Sequence, residues 1–370
     1  MKLLVRILLS IVLMLMVLGA VLVFTASGTY SEIKFNDAYF LFRSHIIKMM
    51  LAVLIGIVFS IVPYQYYSKY SKQALLGVIF LLLLTLLFAA KYKGAARWIN
   101  LGFVRFQPSE LAKLVLFMHL AGMIERKGKL IQDFQNGFKY TLIWIFAVAG
   151  LVLIQPNLST AMIIIFTGFT LLFVGGAKLK HIAATLGVAA VASGGLMMLF
   201  NHSRQRIMGF INSLGGHGEP NMQVLQAKIG LGSGGLLGVG IGASRQSDLF
   251  LPESYGDFIF SILGEQFGFL GAMFLLLLYF GLFVIGIIIA KKSKDTYGQL
   301  LGFAISFNII ISAFINAAVV MGLLPTTGIT LPFISFGGTS IILVSASVGI
   351  LINIANQGNK KKNLRVSKID

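Results

Sequence analysis

Ten apolar stretches, each long enough to cross about 30 Å of hydrocarbon, dominate this chain. They fall at 5–25, 47–66, 73–90, 109–124, 139–154, 158–175, 182–200, 257–290, 297–323 and 334–356. In a bilayer every backbone N–H and C=O has to be satisfied without water, so runs of this length are expected to be helices. The expected fold class is therefore an all-α polytopic membrane protein of about ten transmembrane helices. Composition agrees: 57% of the residues are hydrophobic and 11% charged, where a soluble domain carries roughly a quarter charged. The first stretch begins at Leu3 after a basic residue, like a signal peptide. It runs on without a convincing cleavage site and is expected to be a retained span. The stretch at 257–290 is too long for one upright crossing, so tilt or projection beyond the bilayer is expected there.

Charge sets the orientation. Lys2 and Arg6, Lys69 and Lys72, the 126–129 cluster, Lys178 and Lys180, the 291–294 cluster and the 360–362 run all fall on one side of an alternating bundle. That side is expected to be cytoplasmic, with both termini inside. The chain then reads as a single transmembrane domain over 1–370. It has a large extracytoplasmic loop at 201–256, between helices 7 and 8, and a basic cytoplasmic tail at 358–370. The net charge of +18 does not point to nucleic acid, because no basic face with interleaved aromatics appears; anionic headgroups account for the clusters. Two outer segments, 91–105 and 201–256, keep basic residues on the unfavoured side, which points to an anion bound there. Cysteine is absent, excluding disulfides and thiolate chemistry. His45, His119, His181, His202 and His217 show no metal-ligand spacing. Pro108, Pro156, Pro220, Pro252, Pro325 and Pro332 all fall at outer loops or helix breaks, and the inner loops are expected to carry none, so the shaped working surface is expected outside.

Polar groups inside the spans are few. Glu110 and Lys113 share a helical face at the start of the fourth span, as a structural ion pair or a functional one. Glu265, two turns into the eighth, is either a buried hydrogen-bond post or part of a polar groove. The segment GLGSGGLLGVGIGAS at 230–244 matches GxGxxG at Gly230, Gly232 and Gly235. No strand precedes it and no acidic residue follows at the right distance, so a dinucleotide fold is excluded. Such a segment lets its backbone approach either a ligand or another helix closely. Asp257 stands where this loop turns into the eighth span. There it can cap a helix, or act as a general base with its pKa raised at an apolar rim.

Four segments in order carry a family resemblance: GAARWINLGFVRFQPSELAKL at 94–114, QPNLSTA at 155–161, QAKIGLGSGGLLGVGIG through PESYGDFIF at 226–260, and LLPTTGITLPFISFGGTS at 323–340. Together they resemble the SEDS family (shape, elongation, division and sporulation), the polytopic glycosyltransferases that polymerise peptidoglycan from lipid II. The wording of the last segment and of GEQFGF is closer to division-type members than to rod-shape ones. The resemblance implies that Asp257 takes the proton from a sugar 4-hydroxyl, whose oxygen attacks the anomeric carbon of a second lipid-linked chain and expels undecaprenyl pyrophosphate with inversion. It also implies substrate contacts from Arg97, Trp98, Gln107, Ser109, Glu110, Lys113, Gln226, Glu253, Ser335, Gly337 and Gly338. Arg97, Arg206 and Lys228 are the candidates for the pyrophosphate. No cofactor is identifiable; a divalent cation at the pyrophosphate stays open. The implied partners are lipid II, undecaprenyl-linked glycan, a class B penicillin-binding protein and other division or elongation membrane proteins. Tyr255 and Gly256 replace the family's usual His-Thr, Asn157 its aspartate, Gln266 a common second glutamate, Thr327 a lysine and Phe336 a tyrosine. A lipid II transporter and a non-catalytic scaffold for a transpeptidase are the rival readings.

Overall fold

The computed structural model describes residues 1–88, 97–100, 105–199, 204, 208–211 and 221–366. Among them, ten helices match the ten expected stretches one for one. They are α1 (Lys2–Phe35), α2 (Phe40–Ile61), α3 (Tyr64–Phe88), α4 (Pro108–Lys127), α5 (Lys139–Ile154), α6 (Leu158–Val174), α7 (Leu179–Leu199), α9 (Ile259–Lys291), α10 (Thr296–Val320) and α11 (Thr339–Val366). An eleventh, α8 (Met222–Ser233), lies inside the segment expected to be loop. A two-residue hairpin pairs β1 (Ile99–Asn100) with β2 (Arg105–Phe106). Seven of the helices are apolar over a length that crosses a membrane. The least apolar of the other three, α4, is buried at every position from Ala112 to Ile124, packed among α3, α5, α6, α10 and α11. A helix surrounded by protein needs no lipid-facing side, which is why its hydropathy is low.

The basic clusters meet at one end of the bundle. Tyr64 Oη donates to Asp295 at 2.8 Å, Tyr297 N to Glu125 at 2.9 Å, and Tyr64 N to Asn353 at 3.0 Å. The bonds of Tyr64 tie the start of α3 to the α9–α10 turn and the far part of α11, and that of Tyr297 ties the start of α10 to the end of α4. Lys69, Arg126, Lys127 and Lys291 belong to those same helix ends. One expectation fails here. Pro63 sits in the α2–α3 connection at this end, so the inner connections do contain a proline. Val62 before it is extended, as the residue preceding proline has to be, and the second span stops at Ile61 instead of Tyr66.

Two departures from the expected spans share a cause, backbone leaving the helix at membrane depth. The stretch at 257–290 is broken at Gly268, whose φ of 67° and ψ of −168° only glycine adopts readily. The groups released there pair with the glycine-rich segment. Phe269 N donates to Gly235 O at 2.9 Å and Leu270 N to Leu236 O at 3.2 Å, while Val239 N reaches Glu265 O at 2.9 Å. A Cβ at Gly234 would stand 2.0 Å from Gly264 O, and one at Gly238 would stand 2.2 Å from Gln266 O. The glycines therefore seat one backbone against another. We expect Gly238→Ala, with φ of 86° as well as that collision, to cost about 3 kcal/mol. Gly232→Ala, which meets nothing within 4 Å, should be neutral or slightly stabilising. Thermal unfolding of the purified variants in detergent checks the pair.

Helix α11 begins at Thr339 rather than Ile334, because residues 321–338 form an irregular loop that dips into the bundle. Phe333 is 1% exposed with φ of 66°. A Cβ at Gly19, midway along α1, would lie 2.6 Å from Phe333 O. Tyr279, midway along α9, donates its hydroxyl to Pro332 O. Non-helical backbone at this depth persists only where protein satisfies it, and Tyr279 does so here.

Candidate active site

Asp257 is half-buried in the turn that leads into α9. Its backbone is held from two directions. Asn316, 1% exposed in the last turns of α10, donates through Nδ2 to Asp257 O and to Ile329 O, both at 2.7 Å. Ser335 Oγ donates to Gly256 O at 2.8 Å and accepts from Leu331 N at 2.8 Å. Phe336 N donates to Tyr255 O at 2.9 Å. The turn and the dipping loop are thus laced together along residues 255–257 and 329–336. The carboxylate lies over Gly328, where a Cβ would come 3.3 Å from Oδ2 and where φ is 72°.

The other motifs converge on that loop. Ser159, at the start of α6, donates to Thr327 O at 2.7 Å. Asn157 caps the same helix through Thr160 N at 3.4 Å and donates to Ser109 Oγ at 3.3 Å. Buried Asn157 works here as a neutral cap and donor, the chemistry an amide supplies. Gln107 N donates to Thr339 Oγ1 at 2.8 Å, and that hydroxyl donates to Arg105 O at 3.0 Å. Gly337 and Gly338 form the short link between Ser335 and this threonine. Arg97 gives Nε to Gln155 O at 3.1 Å and Nη2 to Pro156 O, which puts two of its donors on the turn before α6. Trp98 follows it, half-buried.

Glu110 and Lys113 pair at 2.8 Å with their side chains 15% and 8% exposed. They line a cavity of about 20 Å³ with Asn308 and Ser347, room for about one water molecule. On α8, exposed Lys228 lies across Gly322, where a Cβ would meet its Nζ at 2.6 Å. Gln226 is half-buried on the same helix, which Ser261 of α9 holds through Ala227 O at 2.7 Å. Glu253 takes a left-handed φ of 61° and accepts Gly256 N at 2.9 Å. Arg206 and Pro220 lie outside the described residues. Among the described residues no three His, Asp or Glu gather as a metal-binding group.

Glu265 is a hydrogen-bond post. It is 2% exposed and accepts from Ser244 Oγ, Arg245 N at 3.1 Å, Gln246 N at 3.3 Å and Ser233 Oγ at 3.4 Å. Asn316, Ser159 and Gly328 were not singled out by sequence reasoning. An amide near the end of an apolar helix was the one available signal.

The sequence matches the cell cycle protein family model of FtsW, RodA and SpoVE over residues 6–360. The chain belongs to this family. It is 34% identical over 344 residues to the probable peptidoglycan glycosyltransferase FtsW of Geobacter sp. (strain M18), covering 92% of this chain and 93% of that one. It is equally 34% identical, over 347 residues, to stage V sporulation protein E of Bacillus subtilis, covering 93% and 95%. The fold is that of the rod shape determining protein RodA of Thermus thermophilus, with a TM-score of 0.70 at 24% identity over 95% of this chain and 96% of that one. A chain from a structure on polymerization and crosslinking by a peptidoglycan synthase complex gives a TM-score of 0.77 at 23% identity, covering 95% and 98%. Like its relatives, the family member described here is an all-α polytopic protein of the bacterial inner membrane.

Proposed function

We propose that this chain is a peptidoglycan glycosyltransferase that polymerises lipid II at the outer face of the cytoplasmic membrane, with Asp257 as its general base. One observation carries the reading: a half-buried carboxylate, its backbone fixed by Asn316 and Ser335, at the bundle end opposite the basic clusters. Fixing the backbone on both sides holds the carboxylate for one geometry, which is what proton abstraction requires. Asp257 accepts the proton of the sugar 4-hydroxyl. The oxygen bonds to the anomeric carbon of the second lipid-linked chain, and the bond to undecaprenyl pyrophosphate breaks with inversion. Lys228, exposed on α8, and Arg97 are the described cations we assign to the departing pyrophosphate. Glu110 and Lys113 pair within α4 and face residues of α10 and α11 across the small cavity they line.

The same reading includes a single-span class B penicillin-binding protein as partner, which would crosslink the strands this chain makes. The purified protein, alone and with such a partner, should convert lipid II into glycan strands separable by gel. Absence of strands in both, together with movement of labelled lipid II across the bilayer of a reconstituted vesicle, would overturn the glycosyltransferase reading in favour of transport.

A further inference from the structure

The stripe that α2 buries consists of Leu41, His45, Lys48 and Ala52. Its neighbours Ile47 and Met50 are 61% and 60% exposed, the apolar surface expected of a lipid-facing helix. Two ionisable residues thus occupy the packing face of an apolar helix, one turn apart. His45 is fully buried, and neither of its ring nitrogens has a hydrogen-bond partner. Lys48 is 9% exposed, and its described contact is with a ring: Nζ lies 4.1 Å from the centroid of Phe336. The His45 ring lies 6.0 Å from the same phenyl. Arg105 on β2 is near enough for its charge to act on Lys48. Among the described residues no carboxylate pairs with this ammonium.

An uncompensated ammonium at membrane depth is costly, and an aliphatic side chain would pack there without that cost. Cation–π contact alone offsets part of the penalty. What the cluster lacks is an anion with acceptor oxygens: Lys48 offers three donors and His45 a ring N–H. Phe336 is hydrogen-bonded to Tyr255, two residues from Asp257, so an anion between α2 and residue 336 would border the site. We propose that Lys48 and His45 form a buried receptor for the diphosphate of a polyprenyl-linked substrate or product. This rests on the glycosyltransferase reading and adds positioning residues on α2, a helix contributing none of the motifs.

The test uses the full chain in nanodiscs of zwitterionic lipid, with undecaprenyl diphosphate as the probe and undecaprenol as its phosphate-free control. Lys48→Met should weaken diphosphate binding about tenfold, leave undecaprenol binding unchanged and keep or raise the melting temperature. Lys48→Arg should restore most of the affinity. Binding of the diphosphate to Lys48→Met within about twofold of wild type would overturn the proposal. So would a drop in its melting temperature that Lys48→Arg does not reverse, since that marks a packing role. Competition by phosphatidylglycerol as strong as that of the diphosphate would assign the receptor to bilayer lipid and overturn the substrate assignment. Asp257→Asn should bind the diphosphate normally. If the wild type makes no glycan, the activity reading falls while these binding measurements still decide the receptor.

Discussion

Glu265→Ala should lower stability by about 3 kcal/mol, because it strands two buried donors, Ser244 Oγ and Gln246 N, and loosens two part-buried ones. The carboxylate gathers the hydroxyls of Ser233 and Ser244 and the backbone N–H groups of Arg245 and Gln246. With Glu265 at 2% exposure, water cannot readily replace it. Glu265→Gln keeps one acceptor oxygen and the same shape, so its loss should be roughly half as large. The segment it organises packs on the Gly268 break, in the helix that begins two residues after Asp257. Activity should therefore fall together with stability in both variants. Thermal unfolding in detergent separates the cases: an alanine variant melting with the wild type would show that the four bonds contribute little.

Hydropathy revealed most of the helices because lipid exposure selects for apolar side chains along the whole length of a span, and it marks α4 more weakly because α4 is buried in protein. It could not reveal where backbone departs from a helix while staying apolar. Ile334 opens an apolar run but belongs to the dipping loop, whose course is set by contacts with Gly19 and Tyr279 far away in sequence. The 257–290 stretch reads as continuous, yet Gly268 breaks it because a second backbone, residues 234–240, is there to take up the released hydrogen bonds. The glycine-rich segment was legible as a place of close approach, and only the structure settles that helix α9 is what approaches. α8 was hidden by its glycines and by the loop around it. Asp257 and Ser335 stood out through their motifs. Asn316 did not, because nothing in the sequence sets it apart from Gln299 and Asn308 of the same helix.

Asp257→Asn should cut glycan polymerisation by about 10²–10⁴-fold, the usual contribution of a positioned general base. The bonds from Asn316 and Ser335 run through its carbonyl and that of Gly256, which the substitution leaves in place. An asparagine of the same shape removes the proton acceptor while keeping the turn, so the melting temperature and lipid II binding should stay close to wild type. The deciding measurement is the initial rate of glycan-strand formation from lipid II by purified Asp257→Asn, at saturating substrate and beside a binding assay on the same preparation. The account predicts a rate lower by about 10²-fold or more with lipid II still bound. A rate within about tenfold of wild type in a folded, lipid-binding variant would contradict it.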